Sequence, residues 1–507
     1  MNMILRLPGP PRSAARPALI VLAVVSIVIA GIATIALSDR SPGVGWAWPI
    51  IAVSTVWLIV YGISAHLYFR TSYLFTSAYV MSLVVFHLGL LGQYTVAGID
   101  SPGWSGLDVR WLSNAGWYTV IALASLGLGF SAACLLSRKA RERHRVADVG
   151  VYASTNLSRV RNLGYGLALA SGLLVLLAIA QLGNILKYTR FELFYLVADT
   201  RSIGVFTMFA PSAALAMVLT AQTKTQRRFG YLFAIAMLGI LLLSGYRSVA
   251  LFPLLAGIVV WVKLGRRIPV GIAVAVLFSV LFIIPIAGYL RSLGPYDRLT
   301  LQDFIESTNK ASVGDAFASM GSALGILATT IESIPKDEQY RYGRSYVSHL
   351  QSALPNLGFT MDLSNSRAEI YQAMQLNREA RLRLAPSDWA SLVIIPTAFL
   401  QGHGVGFSAI AEPYLNFGYA GVVVFFVLLG IFLARFDQVP LLLSYRWLTF
   451  ATIFFWNMLV TVRNDFGVFT KPAIFTAICL GLWIAVRRFV PVPWLQGRNP
   501  QNATLHL

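Results

Sequence analysis

Residues 402–421 of the chain are GHGVGFSAIAEPYLNFGYAG, and they lie where the longest polar segment gives way to an apolar one. Three glycines near the start of this stretch allow tight turns and close backbone approach. Glu412, Tyr414 and Asn416 follow within about one helical turn of each other. A carboxylate at the end of an apolar helix is costly to bury unless it has an interaction partner or a function. The stretch therefore predicts polar chemistry at a membrane surface.

The composition is that of a polytopic membrane protein. Of the 507 residues, 57% are apolar and only 12% are charged, and the mean hydropathy is +0.67, which excludes an ordinary soluble domain. The net charge of +19 is carried mostly in short gaps between apolar runs. This distribution is typical of membrane topology rather than of a nucleic-acid-binding surface, so no nucleic-acid partner is expected.

Twelve apolar runs approach the length that spans a bilayer as a helix, about 17 to 25 residues. The first is expected to be retained as an anchor rather than cleaved as a signal peptide. The seventh and eighth are separated by only the four residues SGYR. The runs are approximately 18–37, 46–65, 72–92, 117–136, 163–182, 203–221, 229–244, 247–262, 268–290, 417–434, 447–462 and 472–486.

Lysine and arginine collect on one side of these runs. With the N-terminus in the cytoplasm, 22 of the 40 Lys and Arg residues fall in cytoplasmic regions and eight in short outer loops, which is the bias expected of inner loops. Both termini are therefore predicted to be cytoplasmic, in a multi-pass protein of the cytoplasmic (inner) membrane. The predicted regions are nine spans in 1–290, a periplasmic or extracellular loop at 291–411, three spans in 412–490 and a cytoplasmic tail at 491–507.

The loop at 291–411 is expected to fold as a small helical cap over the outer face of the bundle. Apolar residues recur at helical spacing in 301–309 and 315–331, and Ser366 with Glu369 resembles a capping box that opens a further helix. The predicted fold class is thus an all-α polytopic membrane protein of about 12 transmembrane helices with a large helical extracytoplasmic loop.

The outer gap at 183–202 mixes aromatic and charged residues and is predicted to lie along the membrane interface. No internal repeat is strong enough to indicate an inverted-repeat transporter.

Four charged residues at predicted span ends face the same compartment as the cap. Arg247 lies in SGYR, Arg291 ends GYLR, and Arg463 with Asp465 lies in VRNDF. Guanidinium groups bind phosphate oxygens in pairs, so two or three of them beside Glu412 would suit a lipid-linked pyrophosphate. The alternatives are that each arginine only reaches toward lipid headgroups, and that a contact between Arg463 and Asp465 is structural.

Glu412 has two interpretations. As a functional residue it would be a general base that deprotonates a sugar hydroxyl attacking an anomeric carbon, or an acceptor that orients that sugar. As a structural residue it would be an acid favoured by the dipole of a helix N-terminus. Pro413 suits a first helical turn and supports this second interpretation.

Other polar residues of the outer segment are weaker candidates. His403 is a candidate for proton transfer in place of Glu412, although a lone loop histidine is more often incidental, and His349 has less support. The candidates for contact with sugar, which in the cap are equally suited to packing, are Tyr342, Arg344, Tyr414 and Asn416.

Other chemistries have little support in the sequence. The chain has no Walker motif, no HExxH and no CxxC, so neither an ATP-driven pump nor a zinc protease is indicated. The GVGFSA sequence around Ser408 is too weak to indicate a serine hydrolase. Acidic residues are missing from the centres of the spans, against a proton-coupled transporter. Cys134 and Cys479 are expected to be buried free thiols, and no metal and no cofactor are predicted.

Four segments resemble the Wzy-type O-antigen polymerases, the oligosaccharide repeat-unit polymerases. They are GHGVGFSAIAEPYLNFGYAG, SGYRSVALFPLLAG at Arg247, IESIPKDEQYRYGRSY in the outer loop and VRNDF near the end. Their order and spacing over residues 240–470 carry the resemblance. The pattern of arginine, ten residues and glycine described for some members is not found in the outer loops of this sequence.

The resemblance implies a metal-independent membrane glycosyltransferase of the broad GT-C kind. It would polymerise undecaprenyl-diphosphate-linked repeats of O-antigen, capsule or exopolysaccharide, moving the growing chain onto a new repeat at the outer face of the membrane. Arg247 and Arg291 would hold the diphosphate, Glu412 would activate or orient the acceptor hydroxyl, and the cap would hold glycan. The implied partners are the lipid-linked oligosaccharide, membrane lipid, a flippase and a chain-length regulator.

Two other functions fit parts of the pattern. An O-antigen ligase shares the topology and the donor and differs in its acceptor. A non-catalytic transporter of polysaccharide or lipid-linked oligosaccharide would use the same arginines to bind substrate, but the large outer segment and the lack of repeats count against it.

Overall fold

The computed structural model is helical throughout the part of the chain that it describes. Every regular element among these residues is a helix, which confirms the predicted all-α class. The described residues are 14–38, 42–43, 45–97, 107–137, 149–182, 202–243, 247–266, 268, 302, 305, 321–353, 382, 384–400, 404–474 and 476–477.

The helices fall into a long N-terminal set, a short middle set and a C-terminal set. The first set is α1 (Ala15–Ala36), α2 (Ala47–Phe69), α3 (Phe75–Ala97), α4 (Val109–Leu136), α5 (Val149–Leu182), α6 (Ser202–Thr220), α7 (Lys224–Leu243) and α8 (Arg247–Lys263). The second is α9 (Ala323–Ser333), α10 (Arg344–Ala353), α11 (Pro386–Ile394) and α12 (Pro396–Leu400). The third is α13 (Ala411–Gln438), a 3-10 turn (Leu441–Leu443), α14 (Tyr445–Thr449), a π-helical turn (Phe450–Phe454), α15 (Phe455–Val460) and a second 3-10 turn (Thr461–Arg463).

Five helices of the described chain are long and apolar enough to cross a membrane. They are Ala15–Ala36, Ala47–Phe69, Phe75–Gly92, Val109–Leu136 and Ala411–Gln438, and they match the first four predicted spans and the tenth. Shorter apolar helices at Phe209–Thr220 and Leu251–Lys263 fall within the sixth and eighth. The predicted count of twelve stays a prediction, because the span at 268–290 and most of the span at 472–486 lie outside the described residues.

Close packing of α4 organises the bundle. Along one side, Trp57 on α2 donates its indole N–H to Ser26 Oγ on α1 at 3.0 Å. On another side α4 crosses α13 at Gly129 and Gly430, where a Cβ atom on either glycine would strike a backbone carbonyl of the other helix. This contact requires glycine on both helices, and it fixes where the start of α13 lies along α4.

The helix predicted within 315–331 is present as α9, and it packs into the bundle. Residues Ala323 to Ile331 are all buried, because α9 contacts α3, α4 and α13. The predicted cap segment is thus anchored among the long helices at this point. The predicted helix that begins near Ser366, the interfacial gap at 183–201 and the tail at 491–507 lie outside the described residues.

At its C-terminal end α13 is fastened by a buried ion pair. Lys263 Nζ lies 3.1 Å from Asp437 Oδ1. The same carboxylate accepts the backbone N–H groups of Phe75 and Thr76 at 2.8 and 3.1 Å and the Thr76 hydroxyl at 2.7 Å. Asp437 therefore caps the first turn of α3, where the helix dipole favours a negative charge.

Candidate functional site

The turn before α13 is held against the end of the second 3-10 turn. Gly406 has φ of +80°, and a Cβ atom there would lie 2.6 Å from the Arg463 carbonyl oxygen, so both the conformation and the contact need glycine. The N–H of Phe407 donates to Arg463 O at 3.1 Å. The expectation that a glycine here allows close backbone approach is confirmed, and the approach brings residues 464–466 beside the first turn of α13.

Ser408 has a structural role at the same turn. Its Oγ accepts the N–H groups of Ile410 and Ala411, both at 3.1 Å, and lies 2.8 Å from His87 Nε2 on α3. The two N–H donors and the imidazole nitrogen occupy both acceptor positions and the one donor hydrogen of the hydroxyl. The serine therefore starts the helix and joins it to α3, in line with the sequence argument against a serine hydrolase.

Glu412 lies in the first turn of α13 and is 2% exposed. Its Oε1 accepts the Ser345 hydroxyl at 2.9 Å and lies 3.2 Å from His349 Nε2. Its Oε2 accepts the Phe466 N–H at 2.6 Å. A carboxylate has about four acceptor positions, and the described part of the chain fills three of them.

A kink in α13 brings the segment before α10 to this carboxylate. Gly418 has φ of +63° and ψ of −147° and breaks the helical geometry. The carbonyls of Leu415 and Asn416, just before the kink, accept the N–H groups of Arg341 and Tyr342 at 3.0 Å. The segment leading into α10 is therefore hydrogen-bonded directly to the start of α13.

Asn416 completes that attachment. Its side-chain oxygen accepts the Gly343 N–H at 2.9 Å, and its side-chain nitrogen donates to Ser345 Oγ at 2.7 Å and to the Glu412 carbonyl at 2.8 Å. All three bonds are made inside the protein, where Asn416 is fully buried. It orients Ser345, which in turn donates to the Glu412 carboxylate.

His349 lies between two carboxylates. Its Nε2 is 3.2 Å from Glu412 Oε1 and 3.8 Å from Asp465 Oδ1. Burial acts to lower the pKa of His349, but the hydrogen bond to Glu412 and the charge of Asp465 outweigh it, so the pKa lies above the usual 6.5. Asp465 is itself fixed by the N–H groups of Gly467 and Ser387 at 3.2 and 3.1 Å.

Arg341 adds a buried positive charge close to the two carboxylates. It is 1% exposed and donates to the Leu384 carbonyl at 2.6 Å. Burial lowers the pKa of Arg341 to about 10, partly offset by the charges of Glu338, Glu412 and Asp465. The guanidinium therefore stays charged at neutral pH.

A small cavity of about 10 Å³, enough for roughly one water molecule, lies beside the carboxylate. Its lining combines aromatic rings with a few polar groups, and its size suits a single hydroxyl or water molecule. The lining residues are Tyr346, Ala409, Glu412, Pro413, Phe425, Thr461, Asn464 and Phe466.

The other predicted site residues are distributed around this centre. Tyr414 is buried, and its hydroxyl donates to the Ile334 carbonyl at 3.2 Å. Tyr342 is 72% exposed with φ of +48°, and Arg344 is exposed at the start of α10. The guanidinium of Arg463 lies 5.8 Å from the centre of the Phe86 ring.

Three predicted residues cannot be placed at the site. Arg247 is the first residue of α8, but its side chain lies outside the described part of the structure, as do Arg291 and His403 entirely. Their predicted roles remain predictions.

The structure adds two residues to the site. Ser345, which is not among the predicted site residues, and His349, which is a weak candidate by sequence, both contact Glu412. One signal was present: the two are four residues apart, so they share a face of α10, and that face is buried while Val347 and Leu350 on the other side are exposed.

Comparison with known proteins identifies the family. No curated protein and no solved structure matches the chain. A family model described as O-antigen polysaccharide polymerase Wzy matches residues 18–490, nearly the whole chain, which confirms the resemblance carried by the four sequence segments. With several helices able to cross a membrane, the protein is an integral membrane protein that belongs to the O-antigen polysaccharide polymerase Wzy family.

Proposed function

We propose that the protein joins undecaprenyl-diphosphate-linked oligosaccharide repeats, transferring the growing glycan to a new repeat at the outer face of the cytoplasmic membrane. Membership of the family supports repeat-unit polymerisation and favours it over ligation or transport. Family membership alone does not specify the donor, the side of the membrane or the acting residues. These three points belong to the proposal.

One observation carries the choice of Glu412 as the acting group. In the described part of the chain, Oε1 of the Glu412 carboxylate has two hydrogen-bond partners and Oε2 has one. Glu412 also borders the cavity. An acceptor position on Oε2 is thus left for a hydroxyl in that cavity. The alternative role, a charge that only stabilises the helix start, does not require a cavity.

The reaction then proceeds by displacement at the anomeric carbon. The acceptor hydroxyl oxygen forms the new C–O bond while the bond from the anomeric carbon to the diphosphate breaks. The electron pair of that bond leaves with the lipid diphosphate, and the hydroxyl proton passes to Glu412 Oε2. A positioned base of this kind contributes about 10² to 10⁴ in rate.

Arginines would stabilise the leaving group. Arg247, Arg291 and Arg463 lie at predicted outer ends of spans, and guanidinium groups suit the charge that develops on a diphosphate. We propose that they make metal ions unnecessary, so polymerisation by the purified protein would persist in excess EDTA.

The topology belongs to the same proposal. About twelve spans, cytoplasmic termini and an extracytoplasmic segment at 291–411 would place Glu412 on the side where a flippase delivers repeats. Residues Tyr342 and Arg344 would then face the glycan, and a chain-length regulator would act from the same side.

Glu412→Gln tests the assignment, because glutamine keeps the shape and removes the base. The full chain, reconstituted in vesicles with lipid-linked repeats on the outer face, should lose at least about 100-fold in polymer formed per folded molecule. Glu332→Gln, on α9, is the matched control and should retain activity. Polymer at the normal rate from Glu412→Gln would show that this acid only stabilises its helix.

The same assay separates the other two functions. Polymer made from lipid-linked repeats without any partner protein excludes a transporter. A requirement for a lipid A acceptor would instead indicate a ligase and contradict the proposal.

A further inference from the structure

His349 has no part in the proposed proton transfer, although it is the histidine in contact with the acting carboxylate. It lies on α10, 63 residues before Glu412 in the sequence, and is 2% exposed. A buried histidine at this distance from a reacting group needs a defined protonation state, because a neutral and a charged imidazole would act differently on it.

The groups that surround Nε2 of His349 require this nitrogen to carry a hydrogen. Nε2 faces Glu412 Oε1 at 3.2 Å and Asp465 Oδ1 at 3.8 Å. Ionised carboxylates only accept hydrogen bonds, so Nε2 must be the donor. A histidine that already donates this hydrogen to Glu412 is not placed to remove a proton from a substrate hydroxyl through the same atom.

The charges around the ring favour the imidazolium. Two carboxylates approach it from separate elements, Glu412 on α13 and Asp465 after the second 3-10 turn. Lys471, on the helical segment 467–474, opposes the positive charge. Arg341 interacts electrostatically with both carboxylates. The two carboxylates outweigh burial and Lys471, since the pKa of His349 is raised.

We propose that His349 is a positioning residue, whose imidazolium holds Oε1 of Glu412 and balances its charge so that Oε2 stays directed to the cavity. This inference rests on the proposed function of Glu412. It assigns the histidine to orientation, and it leaves the hydroxyl proton to the carboxylate alone.

A pH profile distinguishes this role from packing. In the reconstituted full chain, kcat/KM should fall on the alkaline side as His349 loses its charge. His349→Gln keeps a donor but cannot be charged, so its profile should lose that alkaline limb and run at a level about tenfold lower. His66→Gln, which replaces an exposed histidine at the end of α2, is the matched control and should keep the normal profile.

A histidine titration followed by NMR gives a readout that needs no activity. One resonance of the folded protein should titrate above 6.5, vanish in His349→Gln and move to lower pH in Glu412→Gln, which removes the negative partner. This experiment remains informative even if Glu412→Gln makes normal polymer, so it separates failure of the histidine inference from failure of the proposed function.

Two results would overturn the inference. The first is an alkaline limb that persists unchanged in His349→Gln, which would mean that the histidine only packs. The second is a His349 resonance that does not respond to Glu412→Gln, which would mean that the imidazole charge is not coupled to this carboxylate.

Discussion

Two buried carboxylates at opposite ends of α13 have different surroundings. Asp437 is met by four donors, two on each oxygen, including Lys263 Nζ at 3.1 Å. Among the described residues Glu412 is met by three donors, and one of them is a histidine rather than a lysine. The cavity of the site borders Glu412.

The difference shows how one helix uses the same functional group for two purposes. At Asp437 every acceptor position is filled, so the carboxylate can only hold α3, α8 and α13 together. At Glu412 the described residues fill three of about four acceptor positions, and the residue borders a space that could hold a hydroxyl. The number of filled acceptor positions, more than burial or charge, distinguishes the structural carboxylate of Asp437 from the candidate catalytic carboxylate of Glu412.

The largest expected difference in activity is between two conservative variants, one at Glu412 and one at Asp437. Glu412→Asp keeps the charge but withdraws the carboxylate from His349 and Phe466, and a displacement of about 1 Å can cost 100-fold in rate. Asp437→Asn should leave the rate per folded molecule unchanged. The measurement is polymer formed from lipid-linked repeats, normalised to folded protein, and equal losses in the two variants would remove the distinction.

Asp437→Ala should have the largest effect on stability. It leaves Lys263, whose side chain is 14% exposed, beside aromatic rings without its carboxylate, and breaking such a largely buried pair costs up to about 3–5 kcal/mol. Thermal unfolding in detergent would measure the loss. Lys263→Met combined with Asp437→Asn should recover part of it, and no recovery would assign the loss to the α3 cap alone.

A smaller effect is expected at Gly406. Alanine there meets the Arg463 carbonyl and must adopt a positive φ, which costs about 1–3 kcal/mol. Because the same contact positions the Phe466 N–H beside Glu412, activity should fall as well. Gly404→Ala is the control, since its Cβ would meet only Ser391 Oγ at 3.5 Å; equal activity in both variants would contradict the role of this turn.

The smallest effect is the pH dependence of stability from His349. Its folded-state pKa lies above 6.5, so the stabilisation is complete below about pH 6.5. It is lost as the pH rises through the folded-state value. The difference in Tm between the wild type and His349→Gln should therefore narrow from pH 6 to pH 9, and a difference that is constant with pH would contradict a charged histidine.

Much of the framework was predictable from local sequence. Apolar run lengths placed the first four long helices and α13, and the glycines before α13 indicated the close approach observed at Gly406. These are properties of single segments, set by hydropathy and by backbone conformation.

The partners of Glu412 were not predictable in the same way. The contact with His349 depends on the Gly418 kink, on the hydrogen bonds of Arg341 and Tyr342 to α13, and on the register of α10. None of these follows from the pattern around either residue. Arginines are the usual counter-charges of a diphosphate, whereas the basic side chain that contacts the Glu412 carboxylate here is a histidine.

The π-helical turn at Phe450–Phe454 sets the angular register of the other wall of the site. A π turn amounts to one extra residue in an α-helix, and each residue turns the helix by roughly 100°. The helical residues after it, through Arg463, are rotated by that step. The chain leaves the helix at Asn464 and then reaches the Phe466 N–H that binds Glu412, so one additional residue in an apolar segment affects where this donor lies.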